Sequence, residues 1–267
     1  MFNKLFRQSL KPWNRTLHDK AYRAWLQLFD VLNNENLKFP TQQKALGLDW
    51  NIHNGQAFLN QFETIFIDQL YKFECDLKQP LIIDCGANMG TSVMYFKWLF
   101  PNAEIHAFEP DATIFEVLET NVKKNHLKSI HLHNKAVWIN NNDMFFSSNN
   151  SQSGKLVLEA KDVKVACLRL KDYMKNFKSI DLLKLDIEGA ELIVLHDISS
   201  ELNRVNHLFI EYHSTVHEPQ KLSQLLQILE DENFRYYIGG NHSTSPFINK
   251  VIEEGMDLTL DIFATRI

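Results

Sequence analysis

The sequence predicts an α/β protein whose central sheet is mostly parallel and covered by helices on both faces. After Pro80, five short apolar runs bounded by polar residues read as strands: LIID, EIHAFE, IHLHNKAVW, DLLKLD and HLFIEY. Segments with helical spacing lie between most of them: TSVMYFKWLF, TIFEVLETNVKKN and AELIVLHDIS. Strands that alternate with helices of this length predict a parallel sheet covered on both faces.

The composition is that of an ordinary globular protein of one or two domains. The chain has 267 residues, of which 45% are hydrophobic and 23% are charged, enough for one substantial core. The net charge of −5 argues against a nucleic-acid partner, which requires a basic surface. Residues 1–24 differ from the rest in charge, because Asp19 is the single acidic residue among several basic ones. This segment is either a solvated helical face or a contact for an anionic membrane or another partner.

Neither a membrane span nor export is predicted. The apolar stretches are shorter than the roughly 18 residues that a span needs, and the start MFNKLFRQSLKPW lacks the apolar core of a signal peptide. We therefore expect a cytoplasmic protein. The three cysteines, Cys75, Cys85 and Cys167, form no CxxC pair, so neither a zinc knuckle nor a disulfide framework is predicted.

Residues 1–60 are predicted to be a helical and irregular appendage to a domain over 61–267. Apolar residues recur at helical spacing between 16 and 32, which predicts an amphipathic helix docked on the domain. From 37 to 60, punctuation by Pro40, Gly47 and Gly55 predicts an irregular or hairpin region. A second helix is expected over 61–73. The appendage is also a candidate contact between subunits of an oligomer.

Later segments predict the edges of the sheet. FRYYI and the C-terminal DLTLDIFATRI predict two further strands, arranged as an antiparallel edge pair. Residues 143–170 predict strands around a polar loop, inserted before the fourth core strand. The polar loops 147–154 and 239–245 are expected to be surface turns or, alternatively, a lid that reads hydroxyl groups through Ser151, Asn241 or His242.

The stretch LIIDCGANMG carries the first functional signal. Ligands of an open parallel sheet bind outside the carboxyl ends of its strands. Gly86 and Gly90 permit close approach of the backbone, and the helix that begins near Thr91 points its positive end at a ligand. The spacing departs from G-x-G-x-x-G, and no G-K-[ST] follows. Neither a dinucleotide site nor a Walker-type phosphate site is therefore predicted.

Two acids narrow the ligand class. Glu109 ends the next strand, where a carboxylate accepts hydrogen bonds from both hydroxyls of a ribose. Asp84 ends the first strand and either holds a ligand's ammonium group or orders the loop. S-adenosylmethionine offers both a ribose and an amino group.

Several stretches, in this order, resemble the FkbM-type family of S-adenosylmethionine-dependent methyltransferases: IIDCGANMGTSVMYF, HAFEPDATIFEVLETNVKKN, NKAVW, DLLKLDIEGAELIVL and FIEYH. The resemblance covers about residues 60–245. It implies a Rossmann-like class I methyltransferase fold with a seven-stranded sheet whose last strand is antiparallel. It also implies that Asp84, Gly86, Asn88 and Gly90 shape the methionine side of the cofactor site. Glu109 would then hold the ribose, and Ala136 and Val137 would lie near the adenine.

The acceptor side is predicted at the ends of the fourth and fifth strands. Asp186 and Glu188 follow the fourth strand, and Glu211 and His213 end the fifth; adjacent parallel strands end together in space. Asp186 is also expected to contact the cofactor, whereas no catalytic role is expected for Lys184, which either faces the sheet surface or pairs with an acid.

Three interpretations of this acid-rich group stay open. In the first, His213 or a carboxylate is the general base for a hydroxyl and the others orient it. In the second, Asp186, Glu211 and His213 bind magnesium or manganese, which lowers the pKa of the hydroxyl. In the third, Glu188 and Glu191 only complement the dipole of the following helix, and His213 is a loop residue whose hydrogen bonds are satisfied.

We therefore predict O-methylation of a hydroxyl on a small molecule or glycan, such as a saccharide or a secondary metabolite. An N-methyltransferase is the alternative among enzymes, because an amine needs less help from a base. A third hypothesis is a module that keeps the nucleoside pocket without catalysis and serves as a scaffold for a partner.

Overall fold

The computed structural model describes residues 19–147, 155–157, 163–216, 218–239 and 255–267. Its strands, in chain order, are β1 (Thr41–Ala45), β2 (Leu48–Ile52), β3 (Leu81–Cys85), β4 (Glu104–Phe108), β5 (Ile130–His133), β6 (Ala136–Trp138), β7 (Met144–Ser147), β8 (Lys155–Val157), β9 (Val163–Val165), β10 (Cys167–Arg169), β11 (Ile180–Leu185), β12 (Val205–Thr215), β13 (Phe234–Gly239) and β14 (Met256–Arg266).

The helices, in chain order, are α1 (Lys20–Leu32), α2 (Gly55–Phe62), α3 (Thr91–Leu99), α4 (Ala112–Lys124), α5 (Leu170–Met174), α6 (Glu191–Ile198) and α7 (Leu222–Asp231). A π-helical turn, Glu63–Ile67, extends α2, and a 3-10 helix, Ser199–Arg204, extends α6. None of the helices in the described parts of the chain is long and apolar enough to span a membrane.

The central sheet has seven strands in the order β13-β14-β12-β11-β3-β4-β5. Strands β5, β4, β3, β11 and β12 are mutually parallel, whereas β14 is antiparallel to both β12 and β13. Every residue of β11 is buried, as expected for a strand covered on both faces. The predicted doubly wound sheet with one antiparallel strand is confirmed. The predicted C-terminal antiparallel pair is also present, with β14 inserted between β12 and β13.

The topology creates a switch point at the centre of the sheet. The chain leaves β3 towards β4 and β5 on one side and returns through β11 on the other. Crevices outside the carboxyl ends of the strands at such a point are where open α/β sheets bind ligands. Two loops meet there, which we call the β3 loop (residues 86–90) and the β11 loop (residues 186–190).

The N-terminal segment docks on the sheet through an aromatic core. Asp19 caps α1 by accepting hydrogen bonds from the amides of Ala21 and Tyr22, and the buried face of the helix packs into the same hydrophobic core as α3. The Trp50 ring lies 5.1 Å from Phe58 and 5.8 Å from Phe66, measured between ring centroids. The helix predicted over 16–32 is present from residue 20 onward, and its first predicted residues lie outside the described part of the chain.

Two sequence-based boundaries were wrong. The helix predicted over 61–73 begins earlier, where the Asn54 side chain caps the amide of Ala57, and its helical turns end at Ile67, shortly before Gln69 adopts a positive φ of 59°. The segment predicted as one strand over 130–138 is two strands. It breaks at Asn134 because β6 leaves the central sheet to pair in parallel with β10.

The insertion before β11 carries the predicted strands. In the described residues, β7 pairs antiparallel with β8 and with β9. Of the polar loop predicted over 147–154, only Ser147 lies within the described residues, so Ser151 is outside them. The same holds for the loop after β13, with Asn241 and His242, so the lid stays a prediction.

Candidate functional site

The β3 loop is pinned between two strand ends. The amides of Gly86 and Ala87 donate to the carbonyl of Phe108 at 3.0 and 2.9 Å, which ties the loop to the end of β4. Gly86 has a φ of +87°, and a Cβ placed there would lie 1.8 Å from the carbonyl oxygen of Asp186. Glycine is therefore required at this position, because β3 and the β11 loop approach each other backbone to backbone.

The loop leads into a helix end that no side chain caps. Gly90 is the N-cap residue of α3, with a φ of +91° and no side chain to cap the first amides. Asn88 has a φ of +49°, a conformation that Asn tolerates better than most residues. The first turn of α3 thus presents its partial positive charge at the switch point without a protein side chain on it.

Glu109 connects the β3 loop to the end of β4. One carboxylate oxygen accepts from the amide of Asn88 at 2.9 Å, and the other accepts from the amide of Asp111 at 2.9 Å. The residue is only 7% exposed. Burial raises the pKa of the Glu109 carboxyl to about 7, although the two backbone hydrogen bonds oppose this shift.

Lys184 contacts both the β3 loop and the β11 loop. Its ammonium group lies 2.8 Å from the carbonyl oxygen of Gly86, 3.2 Å from Asp84 Oδ1 and 3.1 Å from Asp186 Oδ2. Burial disfavours its charge, but the charges of Asp186 and Asp84 raise the pKa of Lys184 well above its usual value. The expected pairing with an acid involves two acids. Asp84 is completely buried and also accepts from Ser92 Oγ at 2.5 Å, so its place is beneath the loop.

The structure brings together four predicted residues, which we call the acid cluster: Asp186, Glu188, Glu211 and His213. Asp186, Glu211 and His213 each offer one donor atom within 4.8 Å of the others. The side chains of Asp186, Glu188 and Glu211 are 22%, 26% and 27% exposed, whereas His213 is 5% exposed. The three carboxylates are therefore partly accessible to solvent, whereas the imidazole is buried.

His213 is held by an acid from α6, the helix that follows β11. Its Nδ1 lies 3.1 Å from Glu191 Oε1, and its Nε2 lies 3.8 Å from both Glu188 and Glu211. Burial alone would lower the pKa of His213, but the hydrogen bond to Glu191 and the surrounding carboxylates raise it to about 10. The imidazole is thus a fixed cation at neutral pH.

Glu191 also has a structural role that the third interpretation anticipated. The same carboxylate accepts hydrogen bonds from the amides of Ile187 and Gly189, closing the β11 loop at the N-terminus of α6. Glu188 adopts a φ of +58° in this loop, which is uncommon for a residue other than glycine.

Glu211 has a pKa near neutrality. The charge of Asp186 and burial raise the pKa of its carboxyl to about 8, while His213 opposes the shift. Asp261, the antiparallel partner of Glu211 on β14, adds a further negative charge, and burial and Asp186 raise the pKa of Asp261 as well. Sequence reasoning missed Asp261, since only the register of β14 places it here.

The residues predicted to lie near the adenine are on a strand outside the central sheet. Ala136 and Val137 lie on β6 and are each 3% exposed, with β10 as their partner.

Two cavities, of about 560 and 380 Å³, lie away from the switch point. Both are lined by residues at the amino-terminal edge of the central sheet.

The sheet order and the position of the site define the class of protein. A doubly wound sheet with a single antiparallel strand, whose glycine loop and strand-end acid meet at the switch point, is the Rossmann-like fold of class I methyltransferases. The model of the Methyltransferase FkbM domain matches residues 84–236, which is more than half of the chain. The chain belongs to this FkbM family of S-adenosylmethionine-dependent methyltransferases.

Two named relatives are also similar to the chain. Methyltransferase 1 from Beauveria bassiana (strain ARSEF 2860) is 28% identical over 165 residues, covering 52% of this chain and 66% of the relative. The chain thus spans slightly less than two thirds of that protein. Methyltransferase sdnD from Sordaria araneosa is 28% identical over 215 residues, covering 65% of this chain and 80% of the relative.

Among solved structures, M. jannaschii TYW2 in complex with AdoMet aligns with a TM-score of 0.47 and 12% identity, over 87% of this chain and 89% of that chain. A likeness this weak says nothing about the activity of the present chain.

Proposed function

We propose that this chain transfers a methyl group from S-adenosylmethionine to a hydroxyl of a small molecule or glycan, such as a saccharide or a secondary metabolite. The observation that carries the proposal is the position of the acid cluster, whose partly exposed carboxylates adjoin the β3 loop through Lys184. S-adenosylmethionine, when bound, supplies a methyl group on a positively charged sulfur. The task left to the chain is to align the hydroxyl and accept its proton.

The residues at the switch point fit this cofactor. A carboxylate has about four lone-pair sites, and Glu109 uses one on each oxygen for the amides of Asn88 and Asp111. The remaining sites suit the two hydroxyls of a ribose. The uncapped N-terminus of α3 suits a carboxylate such as that of the methionine part. The excess of carboxylates beyond the β11 loop favours a positively charged sulfur nearby.

Glu211 is our candidate for the general base. It is partly exposed, whereas His213, which the sequence also offered beside the carboxylates, is buried and already hydrogen-bonded to Glu191. The carboxyl pKa of about 8 supports this assignment, because a base works best when its pKa lies near the working pH. Asp186 and the His213 cation then orient Glu211.

A second account rests on the same geometry. Asp186, Glu211 and His213 present two oxygens and one nitrogen within 4.8 Å of one another, and they would hold a magnesium or manganese ion if the His213 imidazole lost its proton. The hydroxyl would then lose its proton because of the ion. Treatment with a chelator separates the accounts: lost activity that magnesium or manganese restores would support the ion, and unchanged activity would dismiss it.

The proposal is tested by incubating the chain and S-adenosylmethionine with a panel of saccharides and hydroxylated secondary metabolites. S-adenosylhomocysteine formation reports turnover, and mass spectrometry with NMR locates the methyl group on the product. We expect an O-methylated product. Glu211→Gln should lower kcat by about 10²- to 10⁴-fold, the usual contribution of a general base, with cofactor affinity nearly intact. Glu218→Gln, at an exposed glutamate beyond β12, is the matched control.

Other outcomes would redirect the proposal. A methyl group on nitrogen would favour the N-methyltransferase. Cofactor binding without turnover on any acceptor would favour the non-catalytic module. An equal loss of turnover and cofactor affinity in Glu211→Gln would assign Glu211 a structural role.

A further inference from the structure

A second group of potential ligand atoms lies on the opposite half of the sheet. We call it the Glu-His-His cluster: Glu104, His106 and His131. Glu104 and His106 are two residues apart on β4, and His131 on β5 is the direct parallel partner of His106. All three side chains therefore share one face of the sheet. Each offers one ligand atom within 4.8 Å of the others.

The two distances from Glu104 to the histidines match the edges of a tetrahedral metal site. His106 Nε2 lies 3.3 Å from Glu104 Oε1, and His131 Nε2 lies 3.5 Å from the same oxygen. With metal–ligand bonds of about 2.0–2.1 Å, two ligand atoms of a tetrahedral ion are about 3.3–3.4 Å apart. The His106 and His131 rings are stacked, with centroids 4.4 Å apart and planes at 9°, so the exposed His131 ring would have to turn for both Nε2 atoms to face one ion.

Tyr173 fixes the orientation of the buried histidine. Its hydroxyl lies 2.7 Å from His106 Nδ1 and 2.9 Å from His133 Nε2, so His106 directs its other nitrogen, Nε2, towards Glu104. Histidines that bind metals generally use their second nitrogen for such a hydrogen bond, which sets the ring and the tautomer.

We propose that the Glu-His-His cluster binds a divalent transition metal ion, zinc in particular. Two imidazoles and one carboxylate are the ligands that zinc accepts, whereas magnesium prefers oxygen alone. The side chains of Glu104 and His131 are 38% and 50% exposed, so the ion has a route from solvent and a fourth position for water.

The position of the cluster indicates a structural role. Glu104 begins β4 and Glu109 follows its end, which places Glu104 about 16 Å and His106 about 10 Å from Glu109 along the strand. A bound ion would fasten the edge strand β5 to β4. The inference is independent of the methyl transfer proposed above.

The test is calorimetric titration of the tag-free full-length chain with zinc chloride after removal of metals by a chelator. We expect His131→Ala and Glu104→Gln each to lose one equivalent of bound zinc or to bind it at least tenfold more weakly than the wild type. His53→Ala, at an exposed histidine outside both clusters, should bind as the wild type does. Zinc should also raise the Tm of the wild type more than that of His131→Ala.

Zinc bound to the acid cluster would appear equally in every variant, so the difference isolates the Glu-His-His cluster. Equal stoichiometry and affinity in the wild type, His131→Ala and Glu104→Gln would overturn the proposal. A loss in His53→Ala as large as that in His131→Ala would also overturn it, since binding would then be nonspecific. Glu104→Gln preserves the shape of the side chain and serves as the second variant if His131→Ala folds poorly.

Discussion

At the scale of single residues, Lys184 positions both loops of the candidate site. One buried ammonium group contacts the backbone of the β3 loop and the carboxylates of Asp84 and Asp186. The sequence could predict the pairing of this lysine with an acid, because polar groups inside a parallel sheet need partners. It could not predict that the same lysine also binds the carbonyl of Gly86, since that contact depends on how β3 and β11 lie side by side.

His213 shows the same limit of sequence reasoning. Its place near Glu211 follows from their spacing on one strand. The positive charge of its ring cannot be predicted in this way, because it depends on the buried carboxylate of Glu191 on α6. The role of base consequently moves to Glu211 in our proposal.

Glu109 leads to a prediction about pH. The carboxyl pKa of about 7 in the free protein should fall when ribose hydroxyls donate to the carboxylate, because hydrogen bonds to the charged form favour that form. Binding of S-adenosylhomocysteine should therefore release protons near pH 7. Its affinity should fall as the pH drops through 7, by up to about tenfold per pH unit, and level off above pH 8.

The measurement is calorimetry between pH 5.5 and 8 in buffers of different ionisation enthalpy, which counts the released protons. Glu109→Gln carries no titrating group, so its affinity should be lower at pH 8 and nearly independent of pH. If the variant keeps the pH dependence of the wild type, another group is responsible and Glu109 does not contact the ribose.

At the scale of elements, strand ends and their register decide what the site contains. The short apolar runs predicted β3, β4, β11 and β12 well, because a strand buried on both faces has a strong sequence signal. The register between β12 and β14 has no such signal, so Asp261 opposite Glu211 was not foreseen. The two boundary errors arose from a side-chain cap at Asn54 and from the pairing of β6 with β10, which periodicity alone does not encode.

The contact between the β3 and β11 loops gives a prediction about stability. Gly86→Ala should destabilise the fold by more than Gly47→Ala. Both glycines have a similar positive φ, +87° and +78°, but a Cβ at Gly47 would meet nothing within 4 Å. Gly47→Ala thus reports the conformational cost alone, about 1–2 kcal/mol, and any excess at Gly86 reports the clash with the Asp186 carbonyl.

Urea unfolding of the two variants measures the difference. Gly86→Ala should also weaken cofactor binding, because the β3 loop has to move away from the β11 loop to accommodate the alanine side chain. Equal free energies of unfolding in the two variants would mean that the loops are not in close contact.

At the scale of the whole molecule, the fold places two groups of site residues at the carboxyl-terminal edge of the sheet. Glu109 and the uncapped end of α3 lie on the side of β4, and the acid cluster lies on the side of β12, with Lys184 between them. The sequence predicted this division, since the motifs follow strands whose order the doubly wound pattern dictates. The identity of the acceptor is not encoded in the same way, because it depends on loops around the open side rather than on the sheet.

The most direct test of the central claim is calorimetric titration of the purified chain with S-adenosylmethionine and S-adenosylhomocysteine, with NAD as the control. We predict saturable binding of the first two to one site, no binding of NAD, and a loss of about 1–3 kcal/mol in Glu109→Ala, the scale of a lost hydrogen bond to a charged group. Failure of both ligands to bind, or equal affinity in Glu109→Ala, would contradict a cofactor site at the switch point.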